Sequence, residues 1–81
     1  MKYKPARTLV LIKEIEQKFK SINSRGVVKA TGVKTQEILG EDVTGKTVWF
    51  ERNGKDVNLD GNDYVLVPAS SIYLIETNKT E

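Results

Sequence analysis

Five short apolar runs divide this chain, and they constrain its fold more than any other feature. Each run is rich in β-branched or aromatic residues and is bounded by Gly, Asn, Asp or Ser, which is typical of short strands between turns. The runs are TLVLI at 8–12, GVVKAT at 26–31, KTVWFE at 46–51, YVLVP at 64–68 and SIYLIE at 71–76. Five such runs in 81 residues predict an all-β fold, a small barrel or sandwich.

The chain is long enough for one domain with a small core. We expect that domain to span residues 1–76, with a frayed tail at 77–81. Because a domain of this size is only marginally stable alone, self-association would support it. If Val48 and Phe50 face the core, alternation turns Trp49 outward, toward a partner or the edge of its own barrel. The predicted core consists of Val10, Ile12, Val28, Val48, Phe50, Leu66 and Ile72.

The residue inventory excludes most enzyme chemistry. The chain has no His and no Cys, so it lacks the usual base near neutral pH, thiolate nucleophiles and disulfides. We therefore expect no enzymatic activity, no cofactor and no metal. The 13 Lys and Arg are interspersed with 11 acids for a net charge of +2, which gives no basic stripe for nucleic acid. The apolar run at 9–12 is too short for a signal peptide or membrane span, so we expect a cytoplasmic protein.

One stretch departs from the strand pattern. Residues 13–23 read KEIEQKFKSIN and carry Ile15, Phe19 and Ile22 at steps of four and three. This spacing fits either a helical turn or an exposed loop with apolar anchors. Both interpretations stay open from the residues alone.

The glycines indicate turns. Asn53-Gly54 has the residue types of a two-residue hairpin turn. The DGND stretch at 60–63 is rich in oxygen, but it lacks the spacing and closing Glu of a calcium loop, so we expect a plain turn there. Gly26, Gly32 and Gly45 are expected at strand ends.

Three segments resemble one known family, in the family's order. The last, NDYVLVPASSIYLIE at 62–76, resembles the C-terminal end of GroES-type co-chaperonins, where a strand, a short turn and a final strand follow one another. The first two, SRGVVKATG at 24–32 and VTGKTVWF at 43–50, resemble the family's Arg-Gly-x-Val and Gly-Asp-x-Val-x-Phe strands, with Lys46 in place of the acid. Pro5 and residues 10–13 are similar to the family's opening, although residues 7–9 depart from it. The resemblance implies a small GroES-like β-barrel.

The resemblance also implies a function. Family members form a homo-oligomeric ring, a heptamer, that caps a chaperonin cylinder and helps enclose a folding client while the chaperonin hydrolyses ATP. In the family the N-terminal strand of one subunit pairs near the C-terminal strand of its neighbour. The resemblance therefore implies a subunit interface at Leu9, Leu11, Ile72 and Leu74.

The chaperonin-binding loop of the family departs from the barrel after its first strand. Its counterpart here is the short segment 14–24, in which Ile15, Phe19 and Ile22 are the large apolar side chains. The segment lacks the family's Gly followed by three apolar residues, and the roof hairpin is nearly absent between Gly32 and Gly45. Such a shortened form is what a phage-encoded member would look like.

Two alternatives stand beside the co-chaperonin interpretation. The first is a structural β-barrel module that assembles by edge pairing and binds no chaperonin. The second is a nucleic-acid-binding barrel of SH3 or OB type, with GKTVWFERNGK at 45–55 and scattered lysines as its contact surface. Steep loss of binding with salt would mark the second alternative.

Overall fold

The described part of the chain forms one antiparallel sheet of six strands with short connections. The computed structural model describes residues 3–15 and 23–76. The strands are β1 (Leu9–Glu14), β2 (Asn23–Thr31), β3 (Thr47–Glu51), β4 (Lys55–Leu59), β5 (Asn62–Pro68) and β6 (Ile72–Ile75). A five-residue helix, α1 (Thr35–Leu39), connects β2 to β3, and a 3-10 turn, Ala69–Ser71, connects β5 to β6. The predicted all-β class is confirmed.

The order of the strands across the sheet is β4-β5-β1-β2-β3-β6. Side chains from five of these strands, all except β4, meet in one core cluster, which requires a strongly curved sheet. The end strands β4 and β6 are not paired with each other in the described part of the chain. The sheet is therefore curved but not closed into the barrel that the sequence suggested.

The core follows the alternation of the strands. All the predicted core residues are buried except Leu66, which is half-buried. Val65 and Val67 face the core instead. Every residue of the YVLV run is apolar or aromatic, so both faces of this strand are hydrophobic. Alternation alone does not tell which face of such a strand points toward the core. The prediction for Leu66 was wrong for that reason.

β4 has no counterpart among the five predicted strands. Its sequence, KDVNL, is polar and largely exposed, and within residues 3–15 and 23–76 it pairs only with β5. The two strands are joined by Asp60 and Gly61, which have positive φ values of 54° and 85°, as a two-residue hairpin turn requires. The turn predicted at 60–63 is thus confirmed at 60–61, whereas Asn62 and Asp63 already belong to β5.

The hairpin predicted at Asn53-Gly54 is wrong. β3 pairs with β2 and β6 rather than with β4, so residues 52–54 form a connection between two distant parts of the sheet. The prediction failed because Asn-Gly between two strands indicates a turn without fixing which strands pair. Gly26 also differs from its prediction, since it lies inside β2 opposite Glu14 and Val48.

The connection between β2 and β3 contributes to the core. Val43 is fully buried, and Leu39 of α1 packs against the core cluster. The hydroxyl of Thr35 donates to the carbonyl oxygen of Leu9 at 3.1 Å, which fixes the start of α1 against β1. Residues 33–45 therefore close one end of the sheet.

Candidate functional site

β6 is an end strand with an irregular pairing to β3. Phe50 lies opposite Ile72, whereas Trp49 lies opposite Leu74, so Tyr73 is an extra residue in the pairing. Ile72 is consequently buried, and Tyr73 and Leu74 are 51% and 54% exposed. The outer edge of β6 has no strand partner among residues 3–15 and 23–76. Such an edge pairs readily with another chain.

A cluster of polar and aromatic side chains lies beside β6. Glu76 accepts hydrogen bonds from Nε of Arg25 at 2.5 Å and from Nη2 at 3.1 Å. The indole N–H of Trp49 donates to the same carboxylate at 3.0 Å. The Arg25 guanidinium also lies 5.8 Å from the Trp49 ring centroid, within range of a cation–π interaction. One carboxylate thus joins β2, β3 and the end of β6.

We call Arg25, Trp49, Tyr73, Leu74 and Glu76 the β6 surface. Trp49 is half-buried and points away from the core, as predicted. Arg, Trp and Tyr are the residue types that most often dominate protein interfaces. No local pattern reveals the Arg25–Glu76 pair, because the two residues are 51 positions apart. This cluster was therefore missed in the sequence.

The hydrogen bonds from Arg25 hold the pKa of Glu76 below its ordinary value. Partial desolvation opposes this shift, and the Trp49 indole N–H adds to it. The same ion pair raises the pKa of Arg25. Both side chains are about one third exposed, 34% and 35%, so salt and water weaken their attraction. Glu76 is charged at neutral pH.

Replacement of Glu76 by glutamine is expected to make stability less dependent on pH. Because the folded pKa of Glu76 is depressed, its stabilisation is present above the unfolded pKa, roughly 4.3, and is lost as the pH falls through the folded pKa. Wild type should be more stable than Glu76→Gln at neutral pH, and the difference should vanish in strong acid. Urea unfolding monitored by the single Trp measures both.

The matched control for this experiment is Glu37→Gln. Glu37 is exposed on α1 and takes no part in the Arg25–Glu76–Trp49 cluster, so this variant should follow wild type at both pH values. Identical unfolding of wild type and Glu76→Gln at neutral pH would contradict the prediction.

The predicted subunit-interface residues have different positions in the fold. Leu74 is exposed on the β6 surface, whereas Leu11 and Ile72 are only 2% and 8% exposed within the single chain. Leu9 is half-buried. Both edges of β1 are occupied by β2 and β5, so backbone pairing of β1 with a neighbouring β6 would displace one of them. Of the four residues, Leu74 has the largest exposed fraction and is the one available for contact with a neighbouring subunit.

The predicted docking segment is only partly described. Ile15 is half-buried, and its N–H donates to the carbonyl oxygen of Arg25 at 2.8 Å, which continues the β1–β2 pairing. Phe19 and Ile22 lie outside the described residues, and chaperonin docking stays a prediction. Because Glu14 still belongs to β1 and Asn23 begins β2, the segment between the strands is shorter than 14–24.

A groove of about 530 Å³, lined by two cations and three carboxylates, lies beside the end of β1. Arg52 donates to both carboxylate oxygens of Glu14 at 3.1 and 2.9 Å and to Asp56 at 3.4 Å. Lys13 lies 5.6 Å from the Tyr64 ring centroid. Both cations of the groove have a carboxylate or aromatic partner and carboxylates outnumber them, so this groove does not favour an anionic ligand. Arg52 and Glu14 are 38 positions apart, and sequence reasoning missed their pairing.

Comparison with known proteins gave no match, either to models of protein families or to curated proteins. Across the described ranges, no helix has the length and apolar character to cross a membrane. The same ranges hold no group of three or more Asp, Glu, His or Cys placed to bind a metal. Fold and site together define a small all-β protein with an open end strand and an aromatic, charge-paired surface beside it.

Proposed function

We propose that this protein is a co-chaperonin-like ring subunit that caps or modulates a chaperonin cylinder in the cytoplasm during the folding of client proteins. One observation carries the proposal. The segments that resemble the GroES-type family fall on strands of one sheet in the family's order: 24–32 on β2, 43–50 on the approach to β3 and β3 itself, and 62–76 on β5, the 3-10 turn and β6. β4 lies between the last two segments and is outside the resemblance. The strand, short turn and final strand of the family resemblance thus have counterparts in consecutive elements.

A ring requires a contact between copies, and the β6 surface supports one. Its strand edge is open in the described chain, and Tyr73 and Leu74 are about half exposed beside it. Pairing that edge with a neighbour satisfies backbone groups and covers apolar surface at once. The family resemblance supplies the expected ring size, a heptamer.

The segment between β1 and β2 is the proposed contact with the chaperonin. Ile15 at its start, with Phe19 and Ile22, would enter apolar pockets on the partner. One or two such side chains contribute roughly 1.5 to 3 kcal/mol each before ordering costs. Useful affinity therefore requires several subunits to bind together from one ring.

Chaperonin binding is expected to depend on both the docking segment and assembly. Wild type should co-sediment with a chaperonin in the presence of nucleotide. Phe19→Ser combined with Ile22→Ser should retain the native particle mass and lose binding. Leu74→Asp should reduce both the particle mass and the affinity, the latter by about a hundredfold, because multivalent binding is lost. Analytical ultracentrifugation reports mass and binding together.

Ile38→Asp is the matched control, because Ile38 is 51% exposed against 54% for Leu74. Ile38 belongs to α1 and is part of neither the β6 surface nor the docking segment. It should assemble and bind like wild type. Equal binding by all variants would refute docking through this segment. Assembly without binding to the host chaperonin would favour the structural module, which the β6 surface supports equally. Binding that falls steeply with salt to nucleic acid would favour the third interpretation.

A further inference from the structure

The chain reverses direction just before β1. The N–H of Leu9 donates to the carbonyl oxygen of Ala6 at 2.9 Å, which closes a four-residue turn. Within it, Arg7 has a φ of 53°, a left-handed conformation that is strained for a residue other than glycine. The carbonyl oxygen of Arg7 accepts a hydrogen bond from the N–H of Lys34 at 2.9 Å. Residues 3–6, which we call the N-terminal strap, therefore run back along β1.

The strap lies over a face of the sheet, because both edges of β1 are already paired. Pro5, in the middle of the strap, is buried. Leu11 is only 2% exposed, although it alternates with Val10 and Ile12 and is outside the core cluster. Leu66 lies directly opposite Leu11 on β5. A strap across the outer face accounts for the burial of both Pro5 and Leu11.

The far end of the strap is anchored at the β4–β5 turn. The hydroxyl of Tyr3 donates to Oδ1 of Asp60 at 3.2 Å. Residue 60 is distant from β1 in sequence but lies at the tip of the hairpin that flanks it. The strap thus extends from the turn at Arg7, past the Leu11–Leu66 pair, to the tip of the neighbouring hairpin.

We infer that the strap is exchanged between copies, so that residues 3–6 of one chain cover the Leu11–Leu66 face of a second copy and Tyr3 bonds to its Asp60. Exchange remakes the same contacts between chains, which makes it a low-cost route to association. Opening the turn also releases the strain at Arg7. The inference rests on the assembly in the proposed function and adds a second link between copies, separate from the β6 surface.

The absence of cysteine in the wild-type chain allows a specific test. Tyr3→Cys and Asp60→Cys are made as separate variants, one with a size tag, and are mixed under conditions where wild type forms an oligomer. Tyr3 and Asp60 meet only at the ends of their side chains, so cysteines at these two positions would be too far apart for a direct disulfide. A short bismaleimide cross-linker is used to bridge them. We expect a cross-linked heterodimer in the mixture that neither variant forms alone.

The turn residue provides graded controls. Arg7→Pro forbids the positive φ and should raise the cross-linked fraction, because proline fixes φ near −65°. Arg7→Gly removes the strain and should therefore lower the ratio of exchanged to closed chains. We expect a decrease of about fivefold, the lower end of the change in equilibrium constant that a left-handed residue other than glycine causes. An unchanged yield in both variants would contradict exchange at this turn.

Failure of the inference is distinguishable from failure of the proposed function. A chain carrying both cysteines that cross-links only within itself, with no heterodimer in the mixture while wild type remains oligomeric, would overturn exchange and leave assembly intact. A wild type that sediments as a monomer at every concentration would overturn the proposed assembly, and exchange with it.

Discussion

Replacement of Phe50 by alanine is expected to lower the free energy of unfolding by about 3 to 5 kcal/mol. Phe50 is fully buried and is the largest such side chain in the core. It lies on β3 between β2 and β6, which hold the surrounding backbone and limit collapse around the cavity. Because small domains are typically stable by only about 5 to 15 kcal/mol, this loss is a large fraction of the total stability. Urea denaturation measures the loss.

Ile38→Ala is the control for this truncation. Ile38 is 51% exposed on α1, so its replacement should change stability by no more than about 0.5 kcal/mol. A loss below about 1 kcal/mol in Phe50→Ala would mean that the site is not packed as described. In that case the core would have to be sought elsewhere.

Gly26→Ala is expected to destabilise the protein by about 1 to 3 kcal/mol, the usual cost of inserting a methyl group into a packed site. An added Cβ would lie 2.4 Å from Cγ2 of Ile12 and 2.8 Å from the carbonyl oxygen of Lys13. β2 cannot retreat, because it is paired with β1 on one side and β3 on the other. Thermal or urea unfolding against wild type provides the measurement.

The sign of this effect makes it a sharp test. Alanine ordinarily stabilises a strand relative to glycine by about 0.5 to 1 kcal/mol, so propensity and packing predict opposite results. Lys29→Ala, an exposed position on the same strand, should stay within about 0.5 kcal/mol of wild type. A gain in stability for Gly26→Ala would contradict the close approach of β1 and β2 at this position.

The β6 surface and the N-terminal strap depend on contacts between remote residues. Glu76 meets Arg25 and Trp49 only because β6 pairs with β3 and β3 with β2. Tyr3 meets Asp60 only because the chain reverses at Arg7. Leu74 was predictable as a surface residue from the final strand, whereas the burial of Leu11 was not. The strand that contains Leu11 has no charged residue at 8–12, and this is equally compatible with a subunit interface and with a central position in a sheet.

The sequence by itself determined five of the six strands, the outward direction of Trp49 and most of the core, because alternation and turn residues are local properties of the chain. Only the tertiary structure decided the rest. KDVNL at 55–59 becomes a strand because β5 offers it an edge, and Val65 rather than Leu66 faces inward because β1 pairs with β5 in that register. Pairing partners and the choice of inner face depend on long-range contacts that no local pattern encodes.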